Sequence, residues 1–141
     1  FKIMKLQKRP ASMVFVASKN GLVASPGASA YCTAKASEIQ LARCIALEGA
    51  PFGIRVNVVN PDAVLQGSKI WTGEWREQRA KAYDMAPDQL EEHYRQRSML
   101  KLNVLPEDIA EAIYFLASDN AAKSTGNVVN VDAGHAPSFT R

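Results

Sequence analysis

The sequence predicts an α/β fold built on a parallel three-stranded sheet. Two observations carry the prediction: short apolar runs rich in β-branched residues, and helix-favouring stretches between them. The first run, Met13-Val14-Phe15-Val16-Ala17, has the length and composition of a strand buried on both faces. Asn20-Gly21 and Pro26-Gly27 then mark turns. From Ser29 to Glu48 the chain is Ala-rich and helix-favouring, with Ser29 as the expected N-cap. Gly49 and Pro51 end that helix, and Gly53 leads into a second strand over Ile54–Val59. Pro106 suits a first helical position, with Glu107 and Asp108 complementing the dipole of a helix that runs to about Ala117. Gly126 precedes a third strand, Val128–Asp132. Strand, helix, strand, helix, strand implies right-handed crossovers and parallel pairing.

Chemistry enters with Tyr31 and Lys35, one helical turn apart, and Ser18, thirteen residues before Tyr31 at the end of the first strand. Positions i and i+4 share a helix face, so the Lys ammonium is expected to reach toward the Tyr hydroxyl. A cation beside a phenol favours phenolate, which acid/base work near neutral pH requires. Ser18 adds a hydroxyl to hold a carbonyl oxygen. No other Tyr has this spacing: Tyr83, Tyr94 and Tyr114 are followed at +4 by Pro87, Ser98 and Ser118. Together the three groups can move a proton on or off an alcohol.

The surrounding segments extend the pattern. VFVAS, AYCTAK, GIRVNVVNP and PEDIAEAIYFLASDNAAKSTGNVVNVDAG occur in the order and spacing of the C-terminal half of a short-chain dehydrogenase/reductase, which nearly the whole chain resembles. The resemblance implies half of a Rossmann-like doubly wound sheet and NAD- or NADP-dependent oxidoreduction of an alcohol or carbonyl. It implies catalytic roles for Ser18, Tyr31 and Lys35. It also implies cofactor contacts from Tyr31, Lys35, Pro61, Asp62 and Val64. Within the family, NPDAVLQGSKIW and the insert after it resemble the dehydrogenase module of bifunctional rhamnulose-1-phosphate aldolase/dehydrogenases. That points to lactaldehyde-type products of deoxysugar (rhamnose) catabolism. Family members also oligomerise through the long helix bearing the Tyr and through the last strand, so a homo-oligomer is expected.

The chain departs from the family in several places. No G-x-x-x-G-x-G occurs among its eight Gly, so the backbone donors that cradle a pyrophosphate are missing, as are the ribose-selecting residue and the family's Asn. The nucleotide-binding half is therefore expected to lie outside this chain, which alone is expected to be inactive. Pro61-Asp62 stands where Pro-Gly is usual, and Ala63-Val64-Leu65-Gln66 lacks the Thr that meets the nicotinamide; only backbone near Val64 remains for it. Ala133 occupies a position where Gly is common. One rival reading is an assembly element without cofactor binding. Another is a reductase of a different carbonyl.

The 141 residues, 47% hydrophobic, suit one partial domain with a buried core. A net charge of +3 argues against nucleic acid, and Lys2, Lys5, Lys8 and Arg9 read as the solvated face of a helix. No secretory signal or membrane-length apolar span is present, so a cytoplasmic protein is expected. Cys32 and Cys44 lie twelve residues apart on one helix, too far to bridge, and Cys32 is expected to pack away from the site. His93 and His135 form no metal-ligand pattern, and His135 is expected on a surface tail. From Gly67 to Leu100 the composition shifts to alternating charges, with Trp71 and Trp75 one turn apart and a break at Pro87. Two helices are expected there, either packed on the core by their aromatic stripe or lying over a substrate as a lid. Arg76, Arg79, Arg95 and Arg97 are candidates for a carboxylate or phosphate, although nearby Glu residues are expected to occupy most of them.

Overall fold

β1 (Ala11–Val16), β2 (Ile54–Pro61) and β3 (Val128–Val131) form one sheet in the computed structural model, which describes residues 1–139. All pairings are parallel, in the order β1-β2-β3. The register sets Met13 beside Val56, Phe15 beside Val58, and Asn60 beside Asn130. Around the sheet lie α1 (Lys2–Leu6), α2 (Ser29–Gly49), α3 (Glu74–Ala82), α4 (Leu90–Arg97) and α5 (Pro106–Ala117).

Strand alternation divides the core in two. Ile54, Val56 and Val58 point to one face and meet Ile39, Ala42 and Ala46 of α2, with Met13 and Phe15 alongside. Val59 belongs to the other face, where Ile109 and Leu116 of α5 pack with Val14, Val129 and Val131. β2 is thus sandwiched between helices. The outer strand differs: β1 pairs only with β2 and is half-buried along most of its length, with Val16 exposed, so the expected burial on both faces is not reached.

Two local devices hold these layers in place. Gly21 lies so close to α2 that an added Cβ would stand 2.5 Å from Ile39 Cδ1 and 2.8 Å from the Lys35 carbonyl oxygen. Only Gly lets the turn after β1 pack against the helix carrying Tyr31 and Lys35. Arg55 of β2 supplies the second device. Its guanidinium donates to the carbonyls of Leu116 at 2.8 Å, Ala117 at 3.3 Å and Ser118 at 3.0 Å, satisfying the C-terminal end of α5. At the opposite end of α5, Pro106 is the first residue and Asp108 lies in the first turn, as the sequence predicts; the Asp108 carboxylate also accepts from Leu105 N–H at 2.8 Å. Ser29 does not cap α2. Ala28 holds the N-cap position and Ser29 already has helical geometry.

The 67–100 segment folds into α3 and α4, separated by a turn at Pro87–Gln89. Ala80, Leu90 and Tyr94 form a small core of their own, packed against Ala63, Leu65, Trp71, Tyr83 and Met85. No helix among the described residues is long and apolar enough to cross a membrane. Both cysteines are free, and no cluster of metal-ligating side chains occurs among the described residues.

Candidate functional site

A cavity of about 390 Å³ opens at the carboxyl ends of β1 and β2. Open α/β sheets place ligands at this end because the loops leaving the strands diverge there. Its floor is Val16–Asn20 after β1 and Pro61–Val64 after β2; Tyr31 lines it from α2, and Trp71, Trp75, Arg79 and Tyr94 from the 67–100 segment.

Of the residues marked by the sequence, Ser18, Tyr31, Pro61, Asp62 and Val64 all line this one cavity. Ser18 is buried, and its hydroxyl oxygen accepts from Asn20 N–H at 3.2 Å, which fixes the oxygen and leaves the O–H proton free to donate. Lys35 is not part of the lining. Its ammonium donates to the Val16 carbonyl at 3.1 Å and to Glu38 at 2.8 Å, so it is anchored at the cavity's edge where β1 ends. The i,i+4 spacing pointed Lys35 at Tyr31, but a carboxylate at i+3 and a free strand-end carbonyl compete for the same three donors.

Asp62 departs most from expectation. Its carboxylate is held by Arg97 at 2.5 Å, with the Lys19 ammonium 3.8 Å from its other oxygen. Only its backbone remains for a cofactor. The next residue, Ala63, takes φ +52°, a left-handed conformation that costs a residue with a Cβ roughly 1–2 kcal/mol.

The arginines of the insert are not mostly paired with Glu. Among the described residues Arg95 alone meets one, Glu92 at 2.5 Å; Arg76 donates to the Pro87 carbonyl, and Arg79 to Tyr83 Oη at 2.7 Å and the Pro26 carbonyl at 3.3 Å. Sequence proximity misjudged them because α3 turns its Arg79 face inward, away from the glutamates. Burial raises the Tyr94 phenol well above its ordinary range, helped by a hydrogen bond with Tyr83. His135 is buried rather than on a surface tail, because the chain after β3 folds back: Asp132 accepts from Gly134 N–H at 2.9 Å and from the Ser138 hydroxyl at 2.5 Å. Burial pushes the His135 imidazole below its ordinary value, and the nearby Lys19 and Arg97 charges add to this. Cys32 also faces the turn after β1, receiving a hydrogen bond from Asn20 Nδ2 at 3.3 Å. Arg79, one of the four arginines offered for an anion, lines the cavity, whereas Lys19 and Asn20 were not anticipated there; their adjacency to Ser18 was the available signal.

Residues 2–136 match a family model described as enoyl-(acyl carrier protein) reductase. An uncharacterized oxidoreductase of Bacillus subtilis, YuxG, is 62% identical over all 141 residues, which cover 20% of its length. The chain is 33% identical to a vibriobactin-specific 2,3-dihydro-2,3-dihydroxybenzoate dehydrogenase of Vibrio cholerae, matching 90% of this chain and 47% of that one. Among solved structures, sorbitol-6-phosphate 2-dehydrogenase from Erwinia amylovora superimposes with a TM-score of 0.85 at 28% identity, covering 95% of this chain and 52% of its own. The chain therefore spans about half the length of the latter two and a fifth of the first.

Proposed function

Because the chain belongs to the short-chain dehydrogenase/reductase family, we propose that it supplies the catalytic half of an NAD(P)-dependent enzyme that interconverts an alcohol and a carbonyl. The observation that carries this reading is the convergence of Ser18 and Tyr31 on one cavity, with the Lys35 ammonium anchored at its rim. In this reading the nicotinamide end of the cofactor enters the cavity, with the backbone of Pro61, Asp62 and Val64 and the side chains of Tyr31 and Lys35 to hold it. When bound, NAD(P) supplies the hydride acceptor or donor. Tyr31 takes the substrate hydroxyl proton during oxidation and returns it during reduction. The Ser18 O–H holds the reacting oxygen, its own oxygen steadied by Asn20 N–H. Lys35 places positive charge at the rim, and the 67–100 segment covers the substrate as a lid.

A finer reading follows from NPDAVLQGSKIW: a dehydrogenase module beside a rhamnulose-1-phosphate aldolase, acting on lactaldehyde. The much greater length of the Bacillus subtilis oxidoreductase agrees with a module inside a larger chain. An assembly role is favoured by a different observation. Leu41 and Leu47 stand exposed on α2, the helix through which a homo-oligomer would form.

Tyr31→Phe in the intact enzyme tests the central reading. Turnover should fall ~10²–10⁴-fold, the usual contribution of a general acid/base, with cofactor affinity nearly unchanged because Phe keeps the ring through which Tyr31 packs. A variant that kept half of the wild-type kcat would remove Tyr31 from the mechanism.

A further inference from the structure

The cavity carries more positive charge than its own residues neutralise. Lys19 and Arg79 line it, and among the described residues the one carboxylate in its wall is Asp62. Asp62 is committed to a third cation, Arg97, at 2.5 Å, whereas Lys19 approaches it only to 3.8 Å. Lys19 and Arg79 are nonetheless buried, at 5% and 8% exposure. Among the described residues the Lys19 ammonium makes no hydrogen bond, and Arg79 contacts a phenol and a carbonyl but no carboxylate. Burial depresses the Lys19 ammonium below its ordinary value despite Asp62, with Arg97 and Arg79 adding repulsion. A separate observation points the same way. Trp75 lines the cavity, and its buried indole N–H has no acceptor among the described residues. Buried cations and donors are normally paired, so the wall is short of an anionic acceptor.

We propose that Lys19 and Arg79 hold an anionic group of the substrate, a carboxylate or a phosphate, beside the carbon presented to Ser18 and Tyr31. The proposal rests on the oxidoreductase reading for the identity of the cavity. Ser18, Lys19 and Arg79 all line the one cavity, so the anion and the reacting oxygen share the same space. The favoured substrates are therefore short hydroxy acids or small sugar and polyol phosphates rather than neutral molecules, which sets this inference against the lactaldehyde reading while leaving the broader alcohol/carbonyl reading in place. An ammonium and a guanidinium suit either anion.

Isothermal calorimetry on the intact protein, with two matched pairs of probes, tests this without turnover. The pairs are lactate against 1,2-propanediol, and glycerol 3-phosphate against glycerol. At least one anion should bind ten times more tightly than its neutral partner, and the tighter pair identifies carboxylate or phosphate. That preference should shrink to under threefold in Lys19→Met, Arg79→Met or both, and survive in Arg79→Lys. If Lys19→Met does not fold, the Arg79 pair of variants decides. Equal binding of anion and neutral partner by the wild type, or a preference kept in every folded methionine variant, would overturn the proposal. Failure here leaves the Tyr31 assignment untouched, and an active Tyr31→Phe enzyme would leave the anion site untouched.

Discussion

Lys19, Asp62 and Arg97 meet where β1 and β2 end, and His135 is buried within reach of all three charges. Asp62 belongs to the NPDAVLQGSKIW string, but nothing along the chain links it to Lys19, Arg97 and His135, and the four lie up to 116 positions apart (135 − 19). His135 makes a pH prediction possible. Its folded value is lowered from 6.5, by burial first and then by Lys19 and Arg97, against smaller opposing effects of Asp62 and Asp132. The unfolded chain therefore binds the proton more readily than the folded one. The corresponding stability is fully present above pH 6.5 and is lost as pH falls from there through the folded value. Denaturant midpoints should drop on acidification below pH 6.5, and His135→Gln should flatten that drop. An unchanged acid slope in the variant would show that His135 protonates freely in the folded state. His93, also lowered by burial, stays in both proteins and accounts for a residual slope.

At the scale of elements, α5 depends on a residue of β2. Arg55 donates to three successive carbonyls at the end of that helix and, at 3.4 Å, to Ser124 beyond it. Asn57, fully buried on the same strand, donates to the Ser124 carbonyl at 2.9 Å and accepts from Asn127 N–H at 3.2 Å. These bonds tie the entry of β3 to β2. Arg55→Met keeps the aliphatic stem but strips the guanidinium, so the Ala117 and Ser118 carbonyls lose its bonds while Leu116 keeps the Ser12 hydroxyl and Ser124 keeps Asn57. Hydrogen bonds to charged groups are worth roughly 1.5–3 kcal/mol, so the variant should lose about 2 kcal/mol, read as a lower urea midpoint. Hydrogen exchange should rise first in the last turn of α5. A change within about 0.5 kcal/mol would mean that water caps this helix equally well. The element boundaries themselves were legible: Pro106 and Asp108 begin α5 as predicted, and Gly53, at φ +68°, makes the left-handed turn into β2. The cap at the other end of α5 was not, because its donor lies 61 residues upstream in sequence.

For the molecule as a whole, the open flank of β1 and the composition of the chain bear on cofactor binding together. In the proposed reading the cavity takes the nicotinamide end, but no G-x-x-x-G-x-G for the pyrophosphate occurs among the eight glycines. Losing several charge-assisted hydrogen bonds of ~1.5–3 kcal/mol each takes a micromolar affinity past about 1 mM, since ~1.4 kcal/mol is tenfold. The 141-residue chain by itself should therefore give no resolvable heat on titration with NADH. Micromolar binding by this chain alone would place the cofactor elsewhere than the family does. It would also leave the assembly reading without support.

Local chemistry determined the strands, the two long helices, their parallel order and the candidates Ser18, Tyr31 and Lys35. Hydrophobic period, Gly and Pro punctuation and i,i+4 spacing all act within a few residues and can be read along the chain. Tertiary structure alone decided what those groups meet. Glu38 and the Val16 carbonyl draw the Lys35 ammonium to the cavity rim, and Arg97 occupies the Asp62 carboxylate. Arg79 turns inward from a segment whose composition left solvated helices and a substrate lid as alternative readings. Charge partners are chosen by distance through space, and burial removes the water that would otherwise make those choices nearly equal in energy.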